Sequence, residues 1–268
     1  MPNLSFTKWS PGGNTTVFLP QGGLSHREQA RLARQALAAD MLGGEQAGFV
    51  DVEQCSLRMA GGEFCCNATR AFGALLVHEN GMSDEPMRVR CSGWPGVIEL
   101  DVMGVTPSYT VTATLELPST VKVEDCGDAV LVRLPGIDHL LLNAKRHRVP
   151  ADAAGGEPTL VSFAGRLGLE KSPCVGAIWW SGQDDTFDMT PLVHVRAVGT
   201  TFLESSCGSG ALALALWLAS RTGQGTGSFS LGQPSGQPLF VEILRSGTRA
   251  RISGPVTLLA QGQVWLDA

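Results

Sequence analysis

Two apolar helical segments, each preceded directly by a cysteine, constrain the fold of this chain more than any other feature of its sequence. The first segment, NATRAFGALLVHEN, spans residues 67–80, and the second, GSGALALALWLASRT, spans residues 208–222. The alternating Ala and Leu of the second segment are typical of a helix buried on every side. A fold for this chain therefore has to cover two separate helices.

Most of the remaining sequence has the composition of short strands. Segments such as GVIELDVMG and SYTVTATLEL are rich in Val, Thr and Leu and alternate polar with apolar residues. Turn residues separate them, as in SPGGN and LPGID. One further helix is expected at residues 25–40, where Ser25 is a suitable N-cap. The sequence thus predicts an α+β protein in which helices are confined to three places.

The same local order occurs twice, about 140 residues apart. Glu63 leads into Cys65-Cys66-Asn67-Ala68 and a helix, and Glu204 leads into Cys207-Gly208-Ser209-Gly210 and a helix. This repetition predicts two similar lobes. We place their boundary near residues 113–119, which gives an N-terminal lobe of residues 1–115 and a C-terminal lobe of residues 116–254. On this pattern alone the remaining tail fits either lobe.

The charge and the apolar content of the chain exclude several classes of function. Charged residues make up 17% of the chain and its formal net charge is -5, so neither nucleic acid nor a membrane surface is expected as a partner. The longest uninterrupted apolar stretch, residues 211–219, is far shorter than the roughly 20 residues that a membrane span requires. The N-terminus has no basic segment followed by an apolar one. We expect a cytoplasmic protein that binds a small molecule.

The cysteines do not have the spacing of a metal site or a dithiol. There are seven, an odd number without any CxxC pair, so zinc binding and dithiol redox chemistry are not expected and the thiols should be reduced. The three that adjoin the apolar helices are the candidates for chemistry. The other four, expected to be structural, are Cys55, Cys91, Cys126 and Cys174.

A cysteine at the start of a helix is placed where its thiolate is favoured. The first backbone N–H groups of a helix have no partner within the helix, and the helix dipole adds partial positive charge there, so the pKa of the thiol should fall. The same N–H groups form an anion site. Gly208 and Gly210 would let the backbone approach a bound carboxylate closely.

Two thiols on opposite sides of one bound carboxylate predict proton transfer at an amino-acid α-carbon. Inverting that centre requires a base on one face, an acid on the other, and fixed dipoles that stabilise the enolate-like charge. The cysteines before the two apolar helices could supply one thiol each. The sequence therefore predicts an isomerase, and such a scheme requires no cofactor.

Several motifs together resemble the diaminopimelate epimerase family of cofactor-independent, two-cysteine racemases and epimerases. CCNATR is similar to the CGNGxR segment of that family, and CGSGA matches its second cysteine motif. FTKWSPGGNTTVFL resembles the opening strand and GLGND turn, with Asn14 at the asparagine. LPGIDHLLLN resembles the GNPH segment, with His139 at the histidine, and VRAVG resembles ERGxG, with Arg196 at the arginine. These landmarks follow the family order from about residue 6 to residue 212.

The resemblance implies a fold, a mechanism and a set of site residues. It implies two pseudo-symmetric lobes, each a mixed sheet or barrel around a central helix, with residues 255–268 returning to the N-terminal lobe. It implies Cys65 and Cys207 as the catalytic pair, a free amino acid as the partner, no cofactor, and it allows a homodimer. The implied substrate-binding residues are Asn14, Cys66, Asn67, His139, Arg196, Gly208 and Ser209.

Departures from the family pattern point to a substrate other than diaminopimelate. The Asn-Pro of the later motif is replaced by Ile137-Asp138, and Val195 stands where the family has a glutamate. Loss of polar contacts to the distal end of a substrate changes which substrate is accepted. The MAGGEFC segment resembles the histidine racemases instead, so histidine is the expected substrate. Whether Glu204 replaces the missing glutamate stays open.

Three alternatives remain at this point. The chain could be a diaminopimelate epimerase, converting the LL to the meso form for lysine and peptidoglycan synthesis, or a non-catalytic amino-acid-binding protein on the same fold. A thiol redox protein using Cys65 and Cys66 is disfavoured, because vicinal disulfides are strained. Cys66 is either a small residue at a family glycine position or itself the reactive thiol, and Arg196 is either a site residue or an ordinary strand arginine.

Overall fold

A computed structural model of the chain describes residues 3–82 and 85–267. Residues 1, 2, 83, 84 and 268, all assigned to the expected N-terminal lobe, lie outside the described residues. The described part is a mixed α+β structure, as the sequence predicts. Its helices are α1 (His26–Leu37), α2 (Cys66–Asn80), α3 (Ala153–Arg166) and α4 (Gly208–Ser220). Its strands are β1 (Asn3–Pro11), β2 (Thr16–Pro20), β3 (Gln46–Asp51), β4 (Ser56–Met59), β5 (Met87–Cys91), β6 (Val97–Val105), β7 (Ser108–Glu116), β8 (Lys122–Asp125), β9 (Val130–Leu134), β10 (Ile137–Asn143), β11 (Cys174–Gln183), β12 (Thr186–Val195), β13 (Thr200–Leu203), β14 (Gly227–Gly232), β15 (Leu239–Leu244) and β16 (Arg249–Trp265).

Eight strands close into a barrel around α2. Strands β1 to β7 are hydrogen-bonded in chain order, and β16 pairs with both β7 and β1. Helix α2 packs against β1, β5, β6, β7 and β16, and its residues 66–77 are all buried. The strands supply the cover that an apolar helix requires, so the barrel fixes the place of its N-terminus.

The rest of the sheet surrounds α4 in a similar way. Strands β8 to β12 continue through β14 and β15 to β16, while β13 pairs with β12. Helix α4 packs against β9, β10, β14, β15 and β16, and its residues 208–216 are all buried. The long strand β16 is shared, because residues 249–253 pair with β15 and residues 256–265 pair with β1.

The order of strand pairings repeats along the chain. From β1 to β7 the successive pairs are antiparallel, parallel, antiparallel, parallel, antiparallel and antiparallel. The series β9, β10, β11, β12, β14, β15 and β16 shows the same six pairings in the same order. Helices α2 and α4 therefore follow equivalent pairs of antiparallel strands.

The helices differ from the sequence predictions in one respect. Helix α1 begins as predicted, with Ser25 and Glu28 forming a reciprocal capping box. The expectation that helices occupy only three places is wrong, because α3 is a fourth. Three glycines and Pro158 hide its helical pattern, but Leu160 and Phe163 are buried in the apolar cluster beside β11 and β12. Tertiary packing thus outweighs poor local propensity here.

Helices α2 and α4 contact each other within one continuous apolar core. This contact brings together the starts of two helices that lie far apart in the sequence. Across residues 3–82 and 85–267, no helix has the length and apolar character needed to cross a lipid bilayer.

Candidate active site

The two cysteines that precede the apolar helices have equivalent positions and backbone conformations. Cys65 is the N-cap of α2, with φ -130° and ψ 107°, and its Sγ accepts a hydrogen bond from the Ala68 N–H at 3.4 Å. Cys207 is the N-cap of α4, with φ -135° and ψ 104°, and its Sγ accepts from the Gly210 N–H at 3.4 Å. Each sulfur is thus held at a helix start by capping.

The first N–H groups of the two helices meet. A Cβ added to Gly208 would lie only 2.8 Å from Asn67 Oδ1 and 3.0 Å from Cys66 Cβ, so the helix starts are in contact and a glycine is required there. Within the described residues, the N–H groups of Cys66, Asn67, Gly208 and Ser209 have no hydrogen-bond acceptor. Four donors at two adjoining helix starts form a site suited to a carboxylate.

One cavity contains both capping thiols. The empty space inside it and at its opening to solvent amounts to about 450 Å³. Besides the thiols, Asn67, Gly208 and Ser209 line it. Five of the nine site residues predicted from the sequence are therefore brought together. The apolar part of the wall consists of Phe64, Ile137, Val193, Val195 and Phe202.

Three carboxyl groups line the same cavity, and burial raises the pKa of each. The pKa of Glu63 rises to about 7 through burial. That of Glu204 rises to about 8 through burial and the neighbouring Glu45. Glu45 itself is less deeply buried, its pKa is also raised, and its Oε2 accepts a hydrogen bond from the Ser205 N–H at 2.9 Å. None of the described residues that line the cavity is Lys, Arg or His, so the site is suited to a cation as well as to a carboxylate.

The thiol pKa values differ from the sequence-based expectation. A helix start lowers the pKa of a thiol, yet burial raises the pKa of both Cys65 and Cys207 well above the usual range, and Glu204 raises both further. The hydrogen bonds from the two helices oppose this shift but are weaker than burial. Both thiols are therefore protonated unless a bound group changes the charge of the cavity.

The stability of the protein is expected to fall by about 2 kcal/mol as the pH rises from about 6.5 to about 8.5. Glu63 and Glu204 have folded-state pKa values of about 7 and about 8, above their ordinary value of 4.5, so the folded state binds more protons than the unfolded state in this window. Burial lowers the pKa of His139 from 6.5 to about 3, so its unfolded form still binds protons near pH 6.5, and this adds an opposing rise in stability of about 0.4 kcal/mol across the window. Urea unfolding at three pH values measures the effect.

The matched variant for this measurement is Glu204→Gln, which cannot ionise. Its free energy of unfolding should depend less on pH than that of the unmodified protein across the same window. A stability that stays constant or rises toward pH 8.5 in the unmodified protein would contradict burial as the cause of the raised pKa values.

Four predicted site residues do not line the cavity. Asn14 is buried behind it and donates a hydrogen bond to Ser206 O at 2.9 Å. Cys66 is also buried, and burial raises the pKa of its thiol to about 12. Arg196 is exposed after β12, where its Nε donates to Ser172 O at 3.1 Å. The positions of these three side chains do not bring them into contact with a ligand in this cavity.

His139, the fourth, reaches the site only through Ser209. Its Nε2 is 3.0 Å from Ser209 Oγ, and Ser209 Oγ is 3.6 Å from Cys207 Sγ. His139 is fully buried on β10, and its pKa of about 3 keeps the ring neutral. The histidine therefore holds a serine of the cavity wall and does not supply a charge to a ligand.

The residues before Cys207 are held from both halves of the chain. The side-chain amides of Asn14 and Asn67 each donate to Ser206 O at 2.9 Å, and Cys207 N donates to Gln233 Oε1 at 2.9 Å. Arg70 Nη2 donates a hydrogen bond to Asn67 Oδ1 at 2.8 Å and so orients that amide. This network fixes the second cysteine relative to the first helix.

Sequence reasoning missed three groups at the site. Glu45 lies directly before β3, and Gln46 is the first residue of that strand. Gln46 Oε1 accepts a hydrogen bond from Cys65 Sγ at 2.9 Å. Cys174, expected to be structural, lines the cavity from the start of β11. No local motif marks these positions, because strand pairing distant in sequence brings them to the cavity. Among the described residues, no group of three His, Cys, Asp or Glu side chains is arranged to hold a metal ion.

Comparison with known proteins places this chain in a family. The family model described as the histidine racemase CntK N-terminal domain matches residues 3–265. A histidine racemase from Fusobacterium nucleatum subsp. nucleatum is 27% identical over 269 residues, which cover 98% of this chain and 97% of the relative. A histidine racemase from Staphylococcus aureus is 24% identical over 282 residues, covering 98% of each chain.

Solved structures of epimerases share the fold. A predicted epimerase from Pseudomonas aeruginosa has a TM-score of 0.68 at 14% identity, covering 98% of this chain and 100% of that one. A hydroxyproline epimerase from Agrobacterium vitis, with bound trans-4-hydroxy-L-proline, has a TM-score of 0.65 at 13% identity, covering 99% of this chain and 93% of that one. At these identities the likeness establishes the fold alone.

Proposed function

The chain belongs to the histidine racemase family of that N-terminal-domain model and is an isomerase of amino acids, and from this premise we propose that it interconverts L- and D-histidine by a two-thiol mechanism. The observation that supports the mechanism most is the shared cavity. Cys65 and Cys207 cap two helices whose first N–H groups adjoin, and both line one cavity with three carboxyl groups. This arrangement provides an anion site, a cation site and two acid–base groups together.

We propose that the fold consists of two pseudo-symmetric lobes. The N-terminal lobe comprises residues 1–115 with 255–268 returning to it, and the C-terminal lobe comprises residues 116–254. The repeated order of strand pairings supports this division, as does the pairing of residues 256–265 with β1. In this description each lobe contributes one capped helix and one thiol to the site.

The substrate carboxylate binds at the two helix starts. The N–H groups of Cys66, Asn67, Gly208 and Ser209 donate to it, and the partial positive charge of both helices stabilises it. As a proton leaves the α-carbon, negative charge spreads onto this carboxylate, so the same donors stabilise the transition state more than the ground state. The reaction then requires no pyridoxal phosphate or metal to delocalise that charge.

The substrate ammonium group makes the charge of the cavity less negative. Burial and the carboxyl groups hold both thiols in the protonated form, and a bound cation offsets the carboxylates, above all Glu204, which raises the pKa of both sulfurs. One thiol can then lose its proton. The thiolate, which is the basic form of the sulfur, therefore forms only when a substrate is bound.

The proton transfers use one sulfur on each face of the α-carbon. The thiolate takes the α-hydrogen from one face, and the opposite thiol gives its proton to the other face, which inverts the centre. The roles exchange for the other enantiomer. His139, Asn14 and Arg70 act in this scheme as positioning residues, since they hold Ser209, Ser206 and Asn67 respectively, and Asn14 also bonds the Glu204 carboxyl group.

The charge of the cavity favours histidine over diaminopimelate. Diaminopimelate carries a second carboxylate beside a second ammonium group at its distal end, and the described lining offers no Lys, Arg or His to pair with that carboxylate. Histidine instead presents an imidazole, which donates N–H groups and carries positive charge when protonated. A diaminopimelate epimerase is therefore the weaker alternative.

The proposed function is tested by incubating the purified protein with L-histidine in deuterated water. D-Histidine should appear on chiral chromatography, with deuterium at its α-carbon, while LL-diaminopimelate in a parallel assay should remain unchanged. Binding of histidine by calorimetry without formation of D-histidine would instead identify a non-catalytic binding protein. The expected cytoplasmic location and homodimer stay predictions, and sedimentation analysis measures the latter.

A further inference from the structure

Glu63 differs from the other carboxyl groups of the cavity in having an unpaired oxygen. Its Oε2 is buried without a hydrogen-bond partner among the described residues, and the residue as a whole is only 7% exposed. Glu45 is already bonded by the Ser205 N–H, and Glu204 is bonded to the Cys207 side chain. The backbone N–H groups of Glu63 and Gly61 also bond to this carboxyl group, so Oε2 is the oxygen with acceptor capacity left for a ligand.

The chain around Glu63 holds its carboxyl group in one place. A Cβ added to Gly61 would lie 2.6 Å from Glu63 Oε2 and 2.4 Å from Val195 Cγ1, so the absence of a side chain at Gly61 makes room for the carboxyl group beside Val195. The backbone carbonyl of Glu63 accepts a hydrogen bond from Ser92 Oγ at 2.9 Å. Such a fixed acceptor can select a ligand group by its position.

No cation of the cavity wall neutralises this carboxyl group. Arg58 is the nearest guanidinium in electrostatic effect, but it is bonded to Gln29 Oε1 at 3.1 Å and does not line the cavity. A buried carboxylate oxygen without a partner is costly to the folded state, so a ligand that donates an N–H group to it stabilises the complex.

Glu63 lies two residues before Cys65, whose pKa it raises. Glu204 and Glu45 are bonded next to Cys207 and Ser205, where a bound ammonium group would lie close to the second thiol. Glu63 instead borders the apolar side chain of Val195, which together with Phe202 suits a flat ring.

We propose that Glu63 accepts a hydrogen bond from the imidazole N–H of histidine and so determines which amino acid the site accepts. The assignment rests on the proposed function. It gives the carboxyl groups separate tasks: Glu204 and Glu45 receive the ammonium group, and Glu63 receives the ring.

The test compares histidine with 3-(2-thienyl)alanine, whose five-membered ring has no N–H group. Glu63→Gln is expected to raise the KM for L-histidine about tenfold, since a hydrogen bond to a carboxylate is replaced by a weaker one to a neutral amide. The inhibition constant of thienylalanine against histidine racemisation should stay within about threefold of its value for the unmodified enzyme. The matched control is Glu53→Gln, an exposed glutamate outside the cavity, which should change neither constant.

Two results would overturn the assignment. If Glu63→Gln weakens thienylalanine as strongly as histidine, the carboxyl group binds the ammonium group that both share. If the KM for histidine is unchanged, Glu63 binds no part of the substrate. Glu63→Asp, which keeps the charge but withdraws it, serves if the glutamine variant does not fold, and the same two comparisons decide. Absence of racemisation by the unmodified enzyme would instead refute the proposed function, so the two failures are distinct.

Discussion

Replacing either Cys65 or Cys207 by serine is expected to lower kcat for histidine racemisation at least about 10³-fold. Each thiol is one half of an acid–base pair, and general acid–base groups contribute about 10²- to 10⁴-fold to a rate. A serine hydroxyl loses its proton far less readily than a thiol, yet it remains a good N-cap. Because Ala68 and Gly210 keep an acceptor for their N–H groups, the helix starts should be preserved. Steady-state assays in both directions measure the loss.

The matched control for these variants is Cys66→Ala. Cys66 adjoins Cys65 in the sequence, but its side chain is buried in the core and does not line the cavity. Racemisation should therefore stay within about tenfold of the unmodified rate, since removing one small buried group chiefly affects stability. Full activity in either serine variant, or loss of activity confined to Cys66→Ala, would reject Cys65 and Cys207 as the catalytic pair.

Gly208→Ala is expected to lower kcat/KM about 100-fold. The added Cβ would lie 2.8 Å from Asn67 Oδ1 and 3.0 Å from Cys66 Cβ, so the two helix starts must move apart. That movement displaces Cys207 relative to Cys65 and widens the carboxylate site, and misplacement of reacting groups by about 1 Å can cost about 10²-fold in rate. The measurement compares kcat/KM with the thermal midpoint of the same variant.

The control for this substitution is Gly23→Ala, at a glycine whose added Cβ would meet no atom within 4 Å. It should leave both activity and thermal midpoint unchanged. An unaltered kcat/KM in Gly208→Ala would show that close contact between the helix starts is not needed for the reaction, and would remove the argument for a shared carboxylate site.

Three of the four described helices could be predicted because their signals are local. Ser25 and Glu28 form a capping box within one turn, and the apolar helices follow cysteines that cap them. Helix α3 escaped prediction because its stability comes from Leu160 and Phe163 packing against strands that are distant in sequence. Local propensity decides an element only where packing does not oppose it.

The residues of the candidate site show the same difference between local signals and contacts distant in sequence. Cys65, Asn67, Cys207, Gly208 and Ser209 were predictable because each belongs to the first turn of a helix or its cap. Glu45, Gln46 and Cys174 were not, because they reach the cavity through the pairing of β2 with β3 and of β10 with β11. Motif resemblance located His139, but the fold put Ser209 between its ring and the cavity.

By itself the sequence determined that two cysteines each begin an apolar helix, since capping and apolar periodicity involve only neighbouring residues. Only the tertiary structure decided that the two helix starts meet, that three carboxyl groups line the same cavity, and that both thiols are protonated in it. The reason is physical: a helix start acts on a thiol over one turn of chain, whereas burial and the charges of Glu63 and Glu204 depend on everything packed around it. In this protein the second influence is the stronger one.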